Sequence, residues 1–74
     1  MNSVMSAKVA AISNVLTAIR TGERAIRAAE RAVEAARSED KYIARMHLAV
    51  VEKRTARRVA AATAVKCKVL GTNV

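Results

Sequence analysis

The side chains of this sequence best suited to chemistry are arginines, and four of them recur at helical spacing in its first half. They are separated by four, three and four residues. At about 100° per residue this spacing places them in a strip about 60° wide on one side of a helix. A guanidinium donates two parallel hydrogen bonds to a phosphate, so such a row predicts contact with a polyanion. The four residues are Arg20, Arg24, Arg27 and Arg31.

A second and denser basic cluster lies in the second half, where Glu52 is the only nearby acid. Lys66 and Lys68 follow further along the chain. Because few carboxylates compete for these cations, we expect this cluster to be the principal phosphate-binding site. It consists of Lys53, Arg54, Arg57 and Arg58.

A surface of ion pairs is the alternative explanation for the first row of arginines. Glu23 precedes Arg27 by four residues, which is a favourable spacing on a helix. Glu30 and Glu34 also lie beside Arg27 and Arg31. Ion pairing therefore accounts for about half of the first row, and for less of the second cluster.

The sequence offers no catalytic centre. It has one His and one Cys, and it lacks both a pair of carboxylates in an apolar setting and a glycine-rich phosphate loop. Metal binding at His47 would require further ligands, and Cys67 is the single cysteine of the sequence, so it cannot form an internal disulfide. We expect no enzymatic activity, no metal and no cofactor.

The composition predicts long helices and dependence on a partner. The 74 residues include no Pro, two Gly and 53% hydrophobic residues, which favours an all-α protein. A chain of this length buries too little surface for high stability by itself. Its net charge of +8 predicts a polyanionic partner such as nucleic acid. The apolar run at residues 9–19 is too short to span a bilayer, so we do not expect membrane insertion.

A seven-residue apolar repeat indicates that the first helix extends from about residue 3 to 36. The repeat continues without interruption across Gly22, and small side chains lie beside it at Ala29 and Ala36. Gly22 is therefore interpreted as a point of close approach between helices, and not as a helix end. The repeat comprises Met5, Ile12, Ile19, Ile26 and Val33, with Ala25 in the neighbouring column.

A second apolar stripe begins at Tyr42, nine residues after Val33, and predicts a change of direction. Nine residues rotate a helix by about 180°, so one continuous helix would present its two apolar halves on opposite sides. Ser38 is a suitable N-cap for a new helix. We predict a single helical hairpin with a turn at about 37–41 and a second helix at about 39–70, although one long bent helix remains an alternative. The second stripe comprises Tyr42, Ala49, Ala56, Thr63 and Leu70.

Further apolar residues lie outside both stripes. Ile43, Val50, Val51 and Val65 are on the other side of the second helix from Tyr42. One hairpin cannot bury several apolar faces, so we expect it to pack against other copies as a homo-oligomer or helical polymer. The residues assigned to this assembly interface are Met5, Ile12, Ile19, Gly22, Ala25, Ile26, Val33, Tyr42, Val50 and Leu70.

Nucleic-acid binding by this chain should not depend on base sequence. Tyr42 is the only aromatic residue, so modules that stack bases on aromatic rings are excluded. No helix-turn-helix pattern places a reading helix in a groove. Binding should therefore be directed to phosphates and sensitive to salt.

Several features of the sequence together resemble a family of viral proteins. They are the heptads from Met5 to Val33, the stripe from Tyr42 to Leu70 and the basic runs at residues 20–31 and 53–58. The family comprises the short, alanine-rich, helical-hairpin coat proteins of bacilliform and filamentous DNA viruses, especially the clavavirus type. The resemblance implies hairpins stacked in a helical shell around double-stranded DNA, with basic residues toward the lumen, and a location in the virion. Glu23, Glu30 and Glu34 depart from a purely basic lumen face, so which helix meets DNA is left open.

Two other functions fit the same sequence. One is a small dimeric hairpin regulator that binds RNA or DNA through its basic faces. The other is a protein-interaction or membrane-surface module that uses its apolar end and its lysines. Outside a virion, we expect a cytoplasmic location.

Overall fold

The computed structural model describes residues 3–71, with side chains from residue 5 onward, and it confirms an all-α helical hairpin. Helix α1 spans Ser3–Ala35 and helix α2 spans Lys41–Leu70. A short 3-10 turn at Ser38–Asp40 connects them. The end of the hairpin where α1 begins and α2 ends is called the open end, and the other end is the turn end.

The chain reverses at Arg37, whose backbone is extended (φ −68°, ψ 159°). The Lys41 amide then donates to the Arg37 carbonyl at 3.0 Å. The Val33 carbonyl near the end of α1 accepts from the Ala36 amide at 3.3 Å and also from the Lys41 Nζ at 3.1 Å, so a cation from α2 lies at the negative end of the α1 dipole. The turn is thus held by backbone bonds and by one lysine.

Ser38 does not act as the predicted N-cap. It is the first residue of the 3-10 turn, and the N-cap of α2 is Asp40, which makes no side-chain capping bond. Glu39 and Asp40 of the turn separate Ser38 from α2, so the serine is too far from the start of α2 to be its N-cap. At the open end α2 stops at Gly71, which adopts φ 72° and donates its N–H to the carbonyls of Cys67 and Lys68.

The two helices approach closely at Gly22, which is buried. A Cβ atom built on Gly22 would overlap the Cγ2 methyl of Thr55 and lie 3.1 Å from both Cβ and Oγ1 of Thr55. The close approach predicted at Gly22 is therefore made to the chain's own second helix. The apolar residues buried beside it in the same contact are also small, namely Ala11 and Ala29, each 4% exposed.

The contact between α1 and α2, here called the seam, follows a heptad pattern on both helices. Because Gly22 lies opposite Thr55 and the helices are antiparallel, residues nearer the turn on α1 face residues nearer the turn on α2. The seam residues of α1, all buried or half-buried, are Ala11, Val15, Ala18, Ile19, Gly22, Ile26, Ala29 and Val33. The seam residues of α2, all half-buried, are Ala44, Leu48, Val51, Thr55, Val59, Ala62, Lys66 and Val69.

The predicted stripe of α2 is wrong as a description of this seam. Tyr42, Ala49 and Ala56 are exposed, while Thr63 and Leu70 are half-buried at its side. The seam contains polar residues such as Thr55 and Lys66, so counting apolar residues alone selects the wrong column. On α1, Met5 and Ile12 of the predicted repeat are exposed, because close packing of the helices involves the smaller residues of the neighbouring column.

The hairpin is a thin rod with principal extents of 56 × 23 × 12 Å. Its radius of gyration is 16.7 Å, whereas a compact domain of this length would have about 11 Å. Its accessible surface is 5961 Å², and a compact monomer of the same mass would expose about 4,400 Å². Two helices alone leave about 1,500 Å² more surface in water than a compact fold would.

We expect Gly22→Ala to destabilise the hairpin by about 1–3 kcal/mol, because the new methyl group overlaps Thr55. The better helix propensity of Ala offsets about 1 kcal/mol of this cost. Thermal unfolding followed by circular dichroism measures the difference. Thr55→Ser removes the overlapping methyl group, so Gly22→Ala combined with Thr55→Ser should recover most of the loss. Equal loss in the single and double variants would contradict the assignment of this contact.

The adjacent valines of α2 provide a matched test of the seam. Val51 is half-buried in it, whereas Val50 is 45% exposed. We expect Val51→Thr to cost about 1–2 kcal/mol because it places a hydroxyl in the contact. Val50→Thr should change the free energy of unfolding by less than about 0.5 kcal/mol. Urea unfolding at a concentration where sedimentation detects one chain checks both values, and a larger effect at Val50 would refute the register.

Candidate nucleic-acid interface and assembly surfaces

Arg54 and Arg58 lie one turn apart on α2 and border a shallow pocket of about 140 Å³ between the two helices. The α1 side of this pocket is formed by Thr21, Gly22 and Ala25. None of the residues that line it is acidic. The broad face of the hairpin that contains this pocket is called the arginine face.

The small residues of α1 make the pocket possible. Gly22 has no side chain, and Ala25 and Thr21 are short, so the α1 wall beside Arg54 and Arg58 is low. Both arginines are exposed. Their guanidinium groups therefore have room to turn toward a ligand above the helix pair.

Lys53 and Arg57 belong to the same sequence cluster, but they do not share the arginine face. At about 100° per residue, they lie about 100° around α2 from Arg54 and Arg58 and point away from the seam. All four side chains are exposed. The predicted cluster thus occupies two adjacent surfaces, the arginine face and the outer edge of α2.

The arginine row of α1 occupies the outer edge of that helix. Its four residues are exposed and centred about 165° from the seam, so they point away from α2. The two predicted basic sets therefore do not converge on one face. Because Gly22 lies opposite Thr55, however, Arg20 and Arg24 are at the same height along the rod as the α2 cluster. The chain has a basic belt around its middle, formed by Arg20, Arg24, Lys53, Arg54, Arg57 and Arg58.

Acidic residues occupy the broad face opposite the arginine face, here called the glutamate face. Helical geometry places Glu23, Glu30 and Glu34 of α1 on this side, together with Glu52 of α2. All four are exposed. They are four of the six acidic residues in the chain, and the other two are in the turn. At the height of the belt, the rod is therefore basic on three sides and acidic on the fourth, the glutamate face.

Two apolar patches are exposed at opposite ends of the rod. The first lies on the glutamate-face side of α1 near the open end, and its residues are 43–60% exposed. The second lies on the outer edge of α2 near the turn, and its residues are 45–72% exposed. The first consists of Met5, Val9, Ile12 and Leu16, and the second of Tyr42, Ile43, Met46 and Val50. The prediction that Ile43 and Val50 lie on the other side of α2 from Tyr42 is wrong, because about 100° or less separates each of them from Tyr42 around the helix.

The residues predicted for an assembly interface divide into three groups in the structure. Met5, Ile12, Tyr42 and Val50 are exposed in the two patches, and Ala25 is exposed beside the pocket. Ile19, Ile26 and Val33 are half-buried in the seam, and Gly22 is buried there. Leu70 is half-buried at the open end.

Sequence reasoning did not identify the roles of Thr21, Thr55 and Val51. Val51 is half-buried in the seam and borders the pocket, and does not face outward as predicted. The signal that could have found Thr55 is the seven-residue series through Leu48, Thr55 and Ala62. Because Thr55 is polar, a search for apolar residues alone does not select this series as a contact between helices.

Neither a metal site nor a membrane span is found in the described chain. Among residues 3–71, no three His, Cys, Asp or Glu side chains are grouped as metal ligands. In the same part of the chain, neither helix is apolar enough over a sufficient length to cross a bilayer.

Comparisons of the chain with protein-family models, with curated proteins and with solved structures find no match.

Proposed function

We propose that this chain is a self-assembling structural protein that packs as helical hairpins around nucleic acid and binds its phosphates without sequence specificity. The observation that carries the proposal is the large exposed surface of the chain, whose buried residues within the described range 5–71 are all small. Its 5961 Å² of accessible surface exceeds that of a compact monomer by about 1,500 Å².

The amount of excess surface favours other copies as the partner. A stable protein interface buries about 800 Å² per partner, and obligate ones bury more. The excess is therefore about what a chain would lose on contacting two neighbours. Exposed apolar residues at both ends of the rod supply the attraction for two such contacts.

The positions of the two patches favour an open assembly. They lie on different helices and are about 30 Å apart along the rod, at about 1.5 Å per residue. A contact between the first patch of one copy and the second patch of another leaves a free patch on each, so further copies can add. Such head-to-tail contacts generate rings or filaments, whereas a two-fold dimer covers matching surfaces and stops.

The basic belt provides the contact with nucleic acid. Six cations within a short length of rod form a strong positive field on three of its sides. With one aromatic residue and no groove-reading element, the side chains available for binding are donors to phosphate. Affinity should therefore depend steeply on salt and little on base sequence.

A coat protein of the clavavirus type combines these two properties, self-assembly and phosphate binding. On that proposal the nucleic acid is double-stranded DNA and the protein is located in the virion. A dimeric regulator would use the same belt, but it would leave one of the two apolar patches in water. A membrane-surface module that used the first patch would bring Glu23, Glu30 and Glu34 toward anionic lipid, because these glutamates lie on the same face as the patch. The negative lipid surface would repel them.

The experiment that tests the proposal is sedimentation velocity with negative-stain microscopy, with and without double-stranded DNA. We expect regular rods or filaments from the unmodified chain. Discrete dimers would support the regulator instead, and lipid-dependent helicity without assembly would support the membrane module. A single chain that ignores DNA at low salt would eliminate the proposal.

Patch variants test the head-to-tail contact. We expect Ile12→Gln with Leu16→Gln, and separately Met46→Gln with Val50→Gln, to stop assembly because each removes one of the two apolar surfaces. Each variant alone should sediment as one chain. Their equimolar mixture should form a dimer of about 16 kDa, twice the 7.9 kDa chain, since each retains the patch that the other lacks.

The control for this test is Thr17→Gln with Ala28→Gln, two exposed positions of α1 outside both patches. It should assemble like the unmodified chain. If either patch variant forms a dimer without the other, the contact joins identical patches and the head-to-tail arrangement is wrong.

A further inference from the structure

We infer that the pocket on the arginine face is a binding site for one phosphodiester group, and that this face, and not Arg27 and Arg31 of the α1 row, meets the nucleic acid. The inference rests on the proposed function and adds which surface makes the contact. Three observations support it: the spacing of two arginines, the low wall opposite them and the distribution of acids.

The spacing of Arg54 and Arg58 allows both to reach the same phosphate. Residues four apart on a helix have Cβ atoms about 6 Å apart on one side of it. Each guanidinium is a planar fork that donates two hydrogen bonds to phosphate oxygens. Two forks on adjacent turns can therefore hold one phosphate between them.

The opposite wall leaves space for the phosphate and adds a donor. Gly22 and Ala25 contribute almost no side chain to the pocket, while Thr21 contributes a hydroxyl. The absence of a side chain at Gly22 also brings α2 close enough for Arg54 and Arg58 to border α1. Gly22 thus allows the helices to pack closely in the seam and also leaves the space that forms the pocket.

Local charge separates the two arginine sets. On a helix the neighbours of a residue are those three and four positions away. For Arg54 and Arg58 these neighbours are uncharged or basic. Arg27 has Glu23 and Glu30 at these distances, and Arg31 has Glu34. Part of the charge of the α1 row is therefore balanced within the helix, whereas the charge at the pocket is not.

The test compares two double variants that remove the same charge at the same spacing. Arg54→Gln with Arg58→Gln removes the pocket arginines, and Arg27→Gln with Arg31→Gln is the matched control. Binding to a fluorescein-labelled 20-base-pair DNA duplex is measured by anisotropy between 50 and 200 mM salt. Circular dichroism verifies that both variants keep the helical content of the unmodified chain.

We expect the pocket variant to lose affinity about tenfold or more at 100 mM salt, and the slope of log affinity against log salt to flatten by about 0.9 as one phosphate contact is lost. The control should lose less than about threefold. Equal losses in the two variants would overturn the inference, because net charge alone would then govern binding. Absence of binding by the unmodified chain would overturn the proposed function as well.

Arg54→Lys with Arg58→Lys tests geometry at constant charge. Lysine lacks the planar fork, so we expect weaker binding with an unchanged salt slope. Affinity equal to that of the unmodified chain would refute a shaped phosphate site. A parallel titration with an RNA duplex of the same sequence shows which of the two polymers the chain binds more tightly. With that polymer, we expect the pocket variant to lose more affinity than the control variant.

Discussion

The contact between Gly22 and Thr55 determines most of what this molecule presents to its surroundings. Gly22 allows the two helices to approach closely, and the pair forms a single layer that is 23 Å wide and 12 Å thick, the thickness of one helix. A single layer of two helices has no interior for large side chains, and among residues 5–71 the buried ones are Gly22, Ala11 and Ala29. The larger apolar residues are left on the outside. Close packing inside the hairpin and exposed apolar surface outside it are thus two results of one constraint.

The same contact also fixes the arrangement of charge. Once Gly22 faces Thr55, the middle of α1 lies beside the basic cluster of α2, although some 30 residues separate them in the sequence. The rotation of each helix about its axis then places glutamates on one broad face and two unopposed arginines on the other. The resulting rod has chemically different sides, which a chain that coats a polymer requires: one side for the polymer and others for neighbouring copies.

Sequence reasoning predicted the hairpin from an apparent change of apolar phase between Val33 and Tyr42. The hairpin is confirmed, but Tyr42, Ala49 and Ala56 are exposed, so the stripe on which the prediction rested does not form the contact between the helices. Sequence reasoning did not predict the α2 seam, because alanines and valines occur all around this helix and the true column includes Thr55 and Lys66. It identified the basic residues by type, but not the pocket. The pocket depends on which residue of α1 faces Arg54, and that register follows from packing between helices and not from spacing along either one.

The bond from the Lys41 Nζ to the Val33 carbonyl joins residues only eight positions apart, so the loop that it closes is short. Contacts beside the turn join residues near in sequence, while those at the open end join residues more than 50 positions apart, and closing the longer loops costs more entropy. We therefore expect the two helices to pair first beside the turn and last at the open end, where the helix ends should fray most readily. The first apolar patch lies in this fraying segment, so docking of another copy there would complete the fold of the chain it binds.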